Sequence, residues 1–152
     1  MGHEYRATIR WVAEGDVMKG QYSRAHDWEF DGGTTIRGSA SPGIVPAPWS
    51  DAAAIDPEEA FVAALSSCHM LFFVDFARRA GFAVATYLDE AVGVMTRDAD
   101  GRMWVSRVDL NPQVTWSTDA PSPDQVKRLH HEAHEACFIA NSVKTEVATN
   151  TG

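Results

Sequence analysis

The first forty residues alternate. In "EYRATIRWV", Tyr5, Ala7, Ile9 and Trp11 fall on one side of the chain, the period-two pattern of a half-buried strand. A second run, "KGQYSRAHDWEF", follows the turn-prone "AEGD", and "DGG" makes a tight hairpin turn into a third, "TTIRGSA". Residues 41–54, "SPGIVPAPWSDAAA", carry three of the seven prolines and read as a loop or cover segment.

The period then changes. Asp56 is a favourable N-cap, Pro57 suits the first helical position, and Glu59 is placed to close a capping box. The helix is expected to run to about Arg79 and to stop at Gly81. It is apolar nearly all round: Phe61, Leu65, Leu71, Phe72 and Phe76 flank the direction of Cys68, with Val62, Met70 and Phe73 on the other side. Such a helix is expected to be central and covered on more than one face. Two long β segments, near 84–97 and 102–116, follow and are joined at "DADG", whose Asp-Gly pair marks a hairpin. A second helix opens at "SPDQ", with Ser122 as cap, Pro123 first and Gln125 completing the box. Val126, Leu129, Ala133, Cys137 and Ala140 form its apolar stripe, which points Cys137 into the core. "VKTEVAT" closes the chain as a short strand. The order βββ-α-ββ-α-β predicts an α+β fold, antiparallel sheets around two central helices, in a single domain over residues 1–152.

Charge narrows the range of partners. The net charge is −8, and the thirteen Lys and Arg are scattered, so neither a nucleic acid nor an anionic membrane is expected as a partner. The richest apolar stretch, Ala60 to Val74, is broken by Ser66, Ser67 and His69, and no membrane span is expected. "MGHEYRATIR" lacks an apolar signal core, and Gly2 leads straight into a strand pattern rather than a lipidation site, so a cytoplasmic protein is expected.

Two cysteines among 152 residues do not make a secreted disulfide framework. In a reducing compartment they are buried fillers, metal ligands or redox-active thiols. Free cysteine is among the most buried residue types, so inert packing explains either one alone. The pair alters that balance, because each sits on the inward face of one of only two long helices. A disulfide still requires Cα atoms within about 7 Å, which spacing does not guarantee.

Glu59 is accounted for by the helix dipole. Glu58 carries a constraint: ten helical residues rise about 15 Å, so it cannot touch Cys68 of the same unbroken helix. Joint chemistry then needs a helix break, an intervening arginine or a second subunit. A rival chemistry lies in "HHEAHEAC", where His130, His134 and Cys137 share one side of a helix as metal ligands could. The order is not that of the HExxH zinc motif, three ligands from one helix rarely close a site, and solvated histidines (His131 among them) are the better account. His69, about 100° round the helix from Cys68, need not be its base.

"DPEEAFVAALSSCHM", the "AGF" a helix-length later and "HHEAHEACFIANSVKTEV" near the C-terminus resemble the OsmC/Ohr family of hydroperoxide-reducing proteins. The most specific part is the Asp-Pro-Glu-Glu start with a cysteine ten residues past the first glutamate. The resemblance covers most of the chain, from "IRWVAEGD" to the last strand, and the order of elements agrees with the family's. It implies an intertwined homodimer with active sites at the subunit interface. Cys68 then corresponds to the peroxidatic cysteine, Cys137 to the resolving one, and Glu58 to the glutamate that pairs with an arginine beside the thiol. The family places that arginine in the N-terminal β region. Arg24 is the first choice, with His26 on its face of the strand, and Arg37 is the second; Arg6 and Arg10 are more remote. The dimer would supply Glu58 from the other chain.

The implied activity is a thiol-dependent hydroperoxide reductase of the oxidative stress response. It needs no metal and no cofactor, and its partners are a second copy, a hydroperoxide and an external dithiol of lipoyl type. Phe61, Leu65, Phe72, Phe76 and Trp49 suit an organic hydroperoxide, although core packing explains the same residues. Cys137-Phe138 stands where the family usually has Cys-Pro, and the 41–54 segment is longer than usual, so substrate preference is not carried over. The alternatives are a stress or ligand-binding protein of the same fold without peroxidase activity, or a metal-binding protein using His130, His134 and Cys137.

Overall fold

The computed structural model describes residues 2–151. The chain forms two compact units, residues 1–60 and 61–152. In the first, β1 (Ala7–Arg10), β4 (His26–Phe30) and β5 (Thr35–Gly38) make an antiparallel sheet in the order β1-β4-β5. The "DGG" turn joins β4 to β5, with Gly33 at φ 93° and Trp28 opposite Ile36. The expected second strand is interrupted. Gly15–Asp16 (β2) and Gln21–Tyr22 (β3) form a small hairpin of their own, and residues 23–25 are not in a strand. The proline-rich segment is a series of turns tied back to the sheet: the Asp51 amide donates to Ser39 Oγ at 3.0 Å, and the Arg24 amide to the Trp49 carbonyl at 3.0 Å.

Helix α1 spans Pro57–Arg79 without a break and ends at Gly81, whose φ is 91°. Asp56 caps it as expected, its Oδ1 accepting the Glu59 amide at 2.8 Å. The capping box is not completed by Glu59. Its carboxyl lies against that of Asp56, and this contact raises the Glu59 pKa. Burial disfavours the Asp56 carboxylate, but hydrogen bonds from the first helical turn outweigh it and hold the group below its usual range.

In the second unit, β6 (Val84–Asp89) pairs antiparallel with β9 (Pro112–Trp116), and β7 (Val92–Arg97) with β8 (Met103–Leu110). Each expected long β segment is therefore two strands. Asp89 marks both breaks, its Oδ1 accepting the Asn111 amide at 2.6 Å and its Oδ2 the Ser66 hydroxyl at 2.5 Å. The "DADG" hairpin joins β7 to β8 as expected. Strand β10 (Glu146–Thr149) runs parallel to β8, an exception to the expected antiparallel pairing. Gly93 on β7 lets α1 approach, since a Cβ there would lie 2.6 Å from Val62 Cγ2.

The second helix, α2, spans Pro123–Ala136 and opens with a complete capping box between Ser122 and Gln125. It is shorter than expected. Cys137 is its extended C-cap, and Ala140–Ser142 form a separate 3-10 turn. Cys137 is nonetheless buried.

Helix α1 is not covered all round. Leu65, His69, Phe73 and Ala77, spaced four apart, are its buried residues, while Leu71 is 63% exposed. At 23 residues it is, by length and composition only, long and apolar enough to cross a membrane, so the apolar stretch is longer than residues 60–74 suggested. Its buried stripe packs within the protein: Phe73 and Ala77 with Leu129 and Ala133 of α2, Leu65 with Val108 and Leu110 of β8.

One contact in this core is polar. His69 Nε2 and His130 Nδ1 lie 2.9 Å apart, the rings nearly parallel, and Phe73 stacks on His130 at 4.0 Å between centroids. His69 Nδ1 is buried without a partner among the described residues. That selects the tautomer. If His130 donated, His69 would carry its proton on Nδ1 as a buried unmet donor; if His69 Nε2–H donates, only a lone pair goes unmet. Burial pushes both imidazoles down from 6.5 to about 4, with His134 adding to the effect on His69, Asp89 opposing it, and His69 acting on His130.

Two outcomes follow from these contacts. Asp56→Ala is expected to lower stability by about 1–2 kcal/mol in urea denaturation while Asp56→Asn stays near wild type. The histidine pair folds neutral and unfolds as ordinary imidazoles, so its contribution is complete above about pH 6.5 and falls as the pH drops towards 4. Between pH 7 and 4.5 the wild type is expected to lose about 4–5 kcal/mol more than a His69→Met/His130→Leu double variant, about half from each imidazole. Equal losses would refute the neutral pair.

Candidate functional site

The chemistry-bearing residues fall into two groups, one in each unit. In residues 61–152, Cys68 lies on α1 one residue before the buried His69, and Cys137 lies at the end of α2 seven residues after His130. Both are free thiols, Cys68 half-buried and Cys137 buried. The Cys68 side chain acts on the Cys137 thiol. Burial pushes the Cys137 thiol above its ordinary value, the Ala140 amide at 3.4 Å from Sγ pulls it back, and the Cys68 side chain pushes it up again. Phe138, the departure from the family's usual Cys-Pro, is 69% exposed and packs edge-on to Phe72 with centroids 4.9 Å apart.

The second group lines a cavity of about 550 Å³ in residues 1–60. Its walls include Trp11, Val17, Tyr22 and Ile44, and Arg24 and Glu58 supply its charged groups. Arg24 reaches it from the short segment between β3 and β4, and Glu58 from the first turn of α1. The guanidinium lies 3.5 Å over the Tyr22 ring, and its Nη1 donates to the carbonyls of Tyr22 (2.6 Å) and Gly20 (3.3 Å). Tyr22 is itself held by the edge of Trp11, at 5.8 Å between centroids. Among the described residues, neither Nε nor Nη2 of Arg24 makes a hydrogen bond, and Arg24 makes no ion pair with Glu58.

The other arginines considered are engaged elsewhere. Arg37 pairs with Asp51 at 3.4 Å, Arg10 with Glu29 at 3.0 Å, and Arg6 with Glu4. Of the four candidates, Arg24 alone lines the cavity with Glu58.

The imagined metal site is not assembled. His130 Nδ1 is committed to His69, His131 is exposed beside Glu135, and no group of three or more His, Cys, Asp or Glu suited to a metal occurs among the described residues. Sequence reasoning missed the His69–His130 pair. Its signal was present, because His69 falls midway in the stripe Leu65–His69–Phe73 at helical spacing. It also missed Tyr22 as a support for Arg24, whose only trace is the spacing of two residues.

Known proteins give the family. A model of OsmC-like proteins matches residues 50–152. An OsmC-like protein of unknown function from Vibrio cholerae is 50% identical, over 98% of this chain and 99% of that one, with a TM-score of 0.95. An organic hydroperoxide resistance protein OsmC from Legionella pneumophila (17% identity, 98% and 96% covered, TM-score 0.68) shares the fold. So does an organic hydroperoxide resistance protein from Elizabethkingia anophelis (18% identity, 99% and 100% covered, TM-score 0.67). Among curated proteins, none matches the sequence. The two-helix α+β fold and the match over most of its length agree: this chain belongs to the OsmC-like protein family.

Proposed function

We propose that the protein is a cysteine-based thiol peroxidase that reduces organic hydroperoxides in the cytoplasm as a homodimer. The observation that carries this reading is a pair of free thiols of unequal burial, Cys68 and Cys137, with the Cys68 side chain raising the Cys137 thiol. Two distant relatives named as organic hydroperoxide resistance proteins support it.

The Cys68 thiolate attacks the outer oxygen of the hydroperoxide. The S–O bond forms, the O–O bond breaks, and the alkoxide leaves as the alcohol after taking a proton, with Cys68 left as a sulfenic acid. Cys137 then attacks the Cys68 sulfur, forming the disulfide and releasing water. An external dithiol, of lipoyl type in this reading, reduces that bond by exchange and is itself oxidised. The inequality of the thiols fits these roles. Half-buried Cys68 is open to a substrate, whereas Cys137, its thiol pushed up by burial, keeps its proton until the sulfenate forms.

Arg24 and Glu58 complete the site from the second copy. The guanidinium has donors in hand for the thiolate and for the leaving oxygen, and Glu58, lining the same cavity, is the carboxylate nearest in role to orient it. Exposed apolar residues support a dimer: Ile9, Val12 and Met18 are 60%, 73% and 95% exposed, and Leu71 and Phe138 flank the cysteines at 63% and 69%. The apolar wall of Trp11, Val17 and Ile44 favours a carbon-bearing peroxide over hydrogen peroxide.

Turnover of cumene hydroperoxide with dihydrolipoamide tests the chemistry. Cys68→Ser is expected to abolish it, and Cys137→Ser to complete one turnover, leaving a sulfenate that dimedone traps, and then stop. Full activity in Cys68→Ser would end the reading, and an inactive wild type would favour a ligand-binding protein of the same fold. Co-expressed Cys68→Ser and Arg24→Met chains, each inactive alone, test the shared site. Random pairing gives half the dimers one competent site of two, and so about a quarter of wild-type activity. No recovery would place Arg24 and Cys68 of the working site in one chain.

A further inference from the structure

Arg24 sits on residues 23–25, which belong to no strand and have no sheet ladder to fix them. Its amide is held by the Trp49 carbonyl and its guanidinium by Tyr22, which leaves the orientation of its own carbonyl to be set. That carbonyl oxygen lies 2.7 Å from His26 Nδ1. Whether the contact is a hydrogen bond depends on which ring nitrogen carries the proton, and Trp28 decides it. The indole Nε1–H can only donate, and it lies 2.8 Å from His26 Nε2. Nε2 must therefore accept, the ring proton sits on Nδ1, and Nδ1–H donates to the Arg24 carbonyl.

Gly38 belongs to the same arrangement. It pairs with His26 across β4 and β5, and a Cβ on it would lie 2.3 Å from Trp28 Nε1 and 2.7 Å from His26 Nε2. Any side chain there would enter the space of the Trp28–His26 bond. His26 also lines the cavity with Arg24 and Glu58, one turn of chain from the guanidinium it supports.

We propose that Trp28 and His26 form a positioning dyad for Arg24: the indole fixes the imidazole tautomer, and the imidazole N–H fixes the Arg24 carbonyl and with it the path of the guanidinium into the cavity. The dyad acts through Arg24 rather than on the peroxide, and its catalytic consequence rests on the thiol-peroxidase reading above. Gly38 is the third member, required for its lack of a side chain.

Two isosteres separate positioning from simple packing. Asn at position 26 puts its amide N–H near the place of Nδ1 and keeps the bond to Arg24 while losing Trp28. Gln reaches Trp28 with its side-chain oxygen and loses the bond to Arg24. Each variant gives up one hydrogen bond, so thermal stabilities are expected to fall together. His26→Asn is expected to keep kcat/KM within about threefold of wild type, and His26→Gln to lose about tenfold to a hundredfold, the range a misplaced catalytic group costs. Equal losses in the two variants would overturn the proposal. Imidazole 15N correlation spectra give a second reading that needs no turnover. His26 is expected as the Nδ1–H tautomer in the wild type and as a mixture in Trp28→Phe. An Nε2–H tautomer in the wild type, or a spectrum unchanged in Trp28→Phe, would overturn the dyad. If the wild type reduces no hydroperoxide, the peroxidase reading fails, and these spectra still decide whether the dyad exists.

Discussion

In residues 61–152 the two helices meet through a hydrogen bond between neutral imidazoles, and the placement of the thiols depends on it. Aliphatic side chains tolerate sliding, because one methylene replaces another at little cost. A 2.9 Å N···N contact in a dry interior does not, since losing it strands a polar nitrogen on each helix. A shift of α1 by one residue would also turn its face by about 100°. His69 thus sets both rotation and axial position of α1 against α2, with Phe73 stacked on the same His130 ring as the second point of a two-point contact. Cys68 is the residue before His69, and Cys137 comes two turns after His130. Their placement follows from the register that the imidazoles impose.

A different restraint governs residues 1–60. Arg24 has no strand to hold it, so side chains do the work that a ladder does elsewhere: the Tyr22 face beneath the guanidinium, the Trp49 carbonyl on its amide, and His26 on its carbonyl. Such a support leaves two nitrogens of the guanidinium uncommitted, which an ion pair with Glu58 would not. Arginines buried in a bidentate pair are structural; one anchored by a single Nη1 to backbone carbonyls still has donors to offer. In the proposed dimer the group able to meet a thiolate is Arg24, which lines the cavity with Glu58, and not Arg37, which lies outside it in an exposed pair with Asp51.

Local signals were legible in the sequence wherever the physics is local. Asp56, Pro57 and the Ser122–Gln125 box mark helix starts because a cap satisfies amides three residues away. The two hairpins were marked by Asp and Gly, whose backbone the turns require. Cys68, Cys137, Glu58 and Arg24 were singled out by motif, and the structure puts the first two together in one unit and the last two in one cavity. What escaped was set by distant contacts. The parallel pairing of β10 with β8 joins segments 39 residues apart, as in Glu146 opposite Arg107, and no local pattern specifies it. The splitting of the long β segments follows from Asp89, whose bonds to Asn111 and Ser66 are tertiary. Helix α1 reads as apolar all round because composition cannot say which faces find partners in the chain. The end of α2 carried no glycine or proline to announce it.

That unannounced end bears on what the thiol pair can do. A cysteine within a helix is held by the hydrogen-bond ladder on both sides, and moving its sulfur to bonding distance of another means unwinding a turn. Cys137 is not so held. Its backbone is extended, at φ −62° and ψ 114°, and its amide keeps only a long contact, 3.3 Å, to the His134 carbonyl. The chain beyond it is re-anchored by the Asn141 amide on the Cys137 carbonyl and the Ala140 amide on its sulfur. The bond to sulfur is the weakest of these and the one that disulfide formation would replace. In the proposed mechanism a resolving thiol placed at a helix terminus can therefore move without disturbing the imidazole pair two turns back, which would keep the register while the thiols change state.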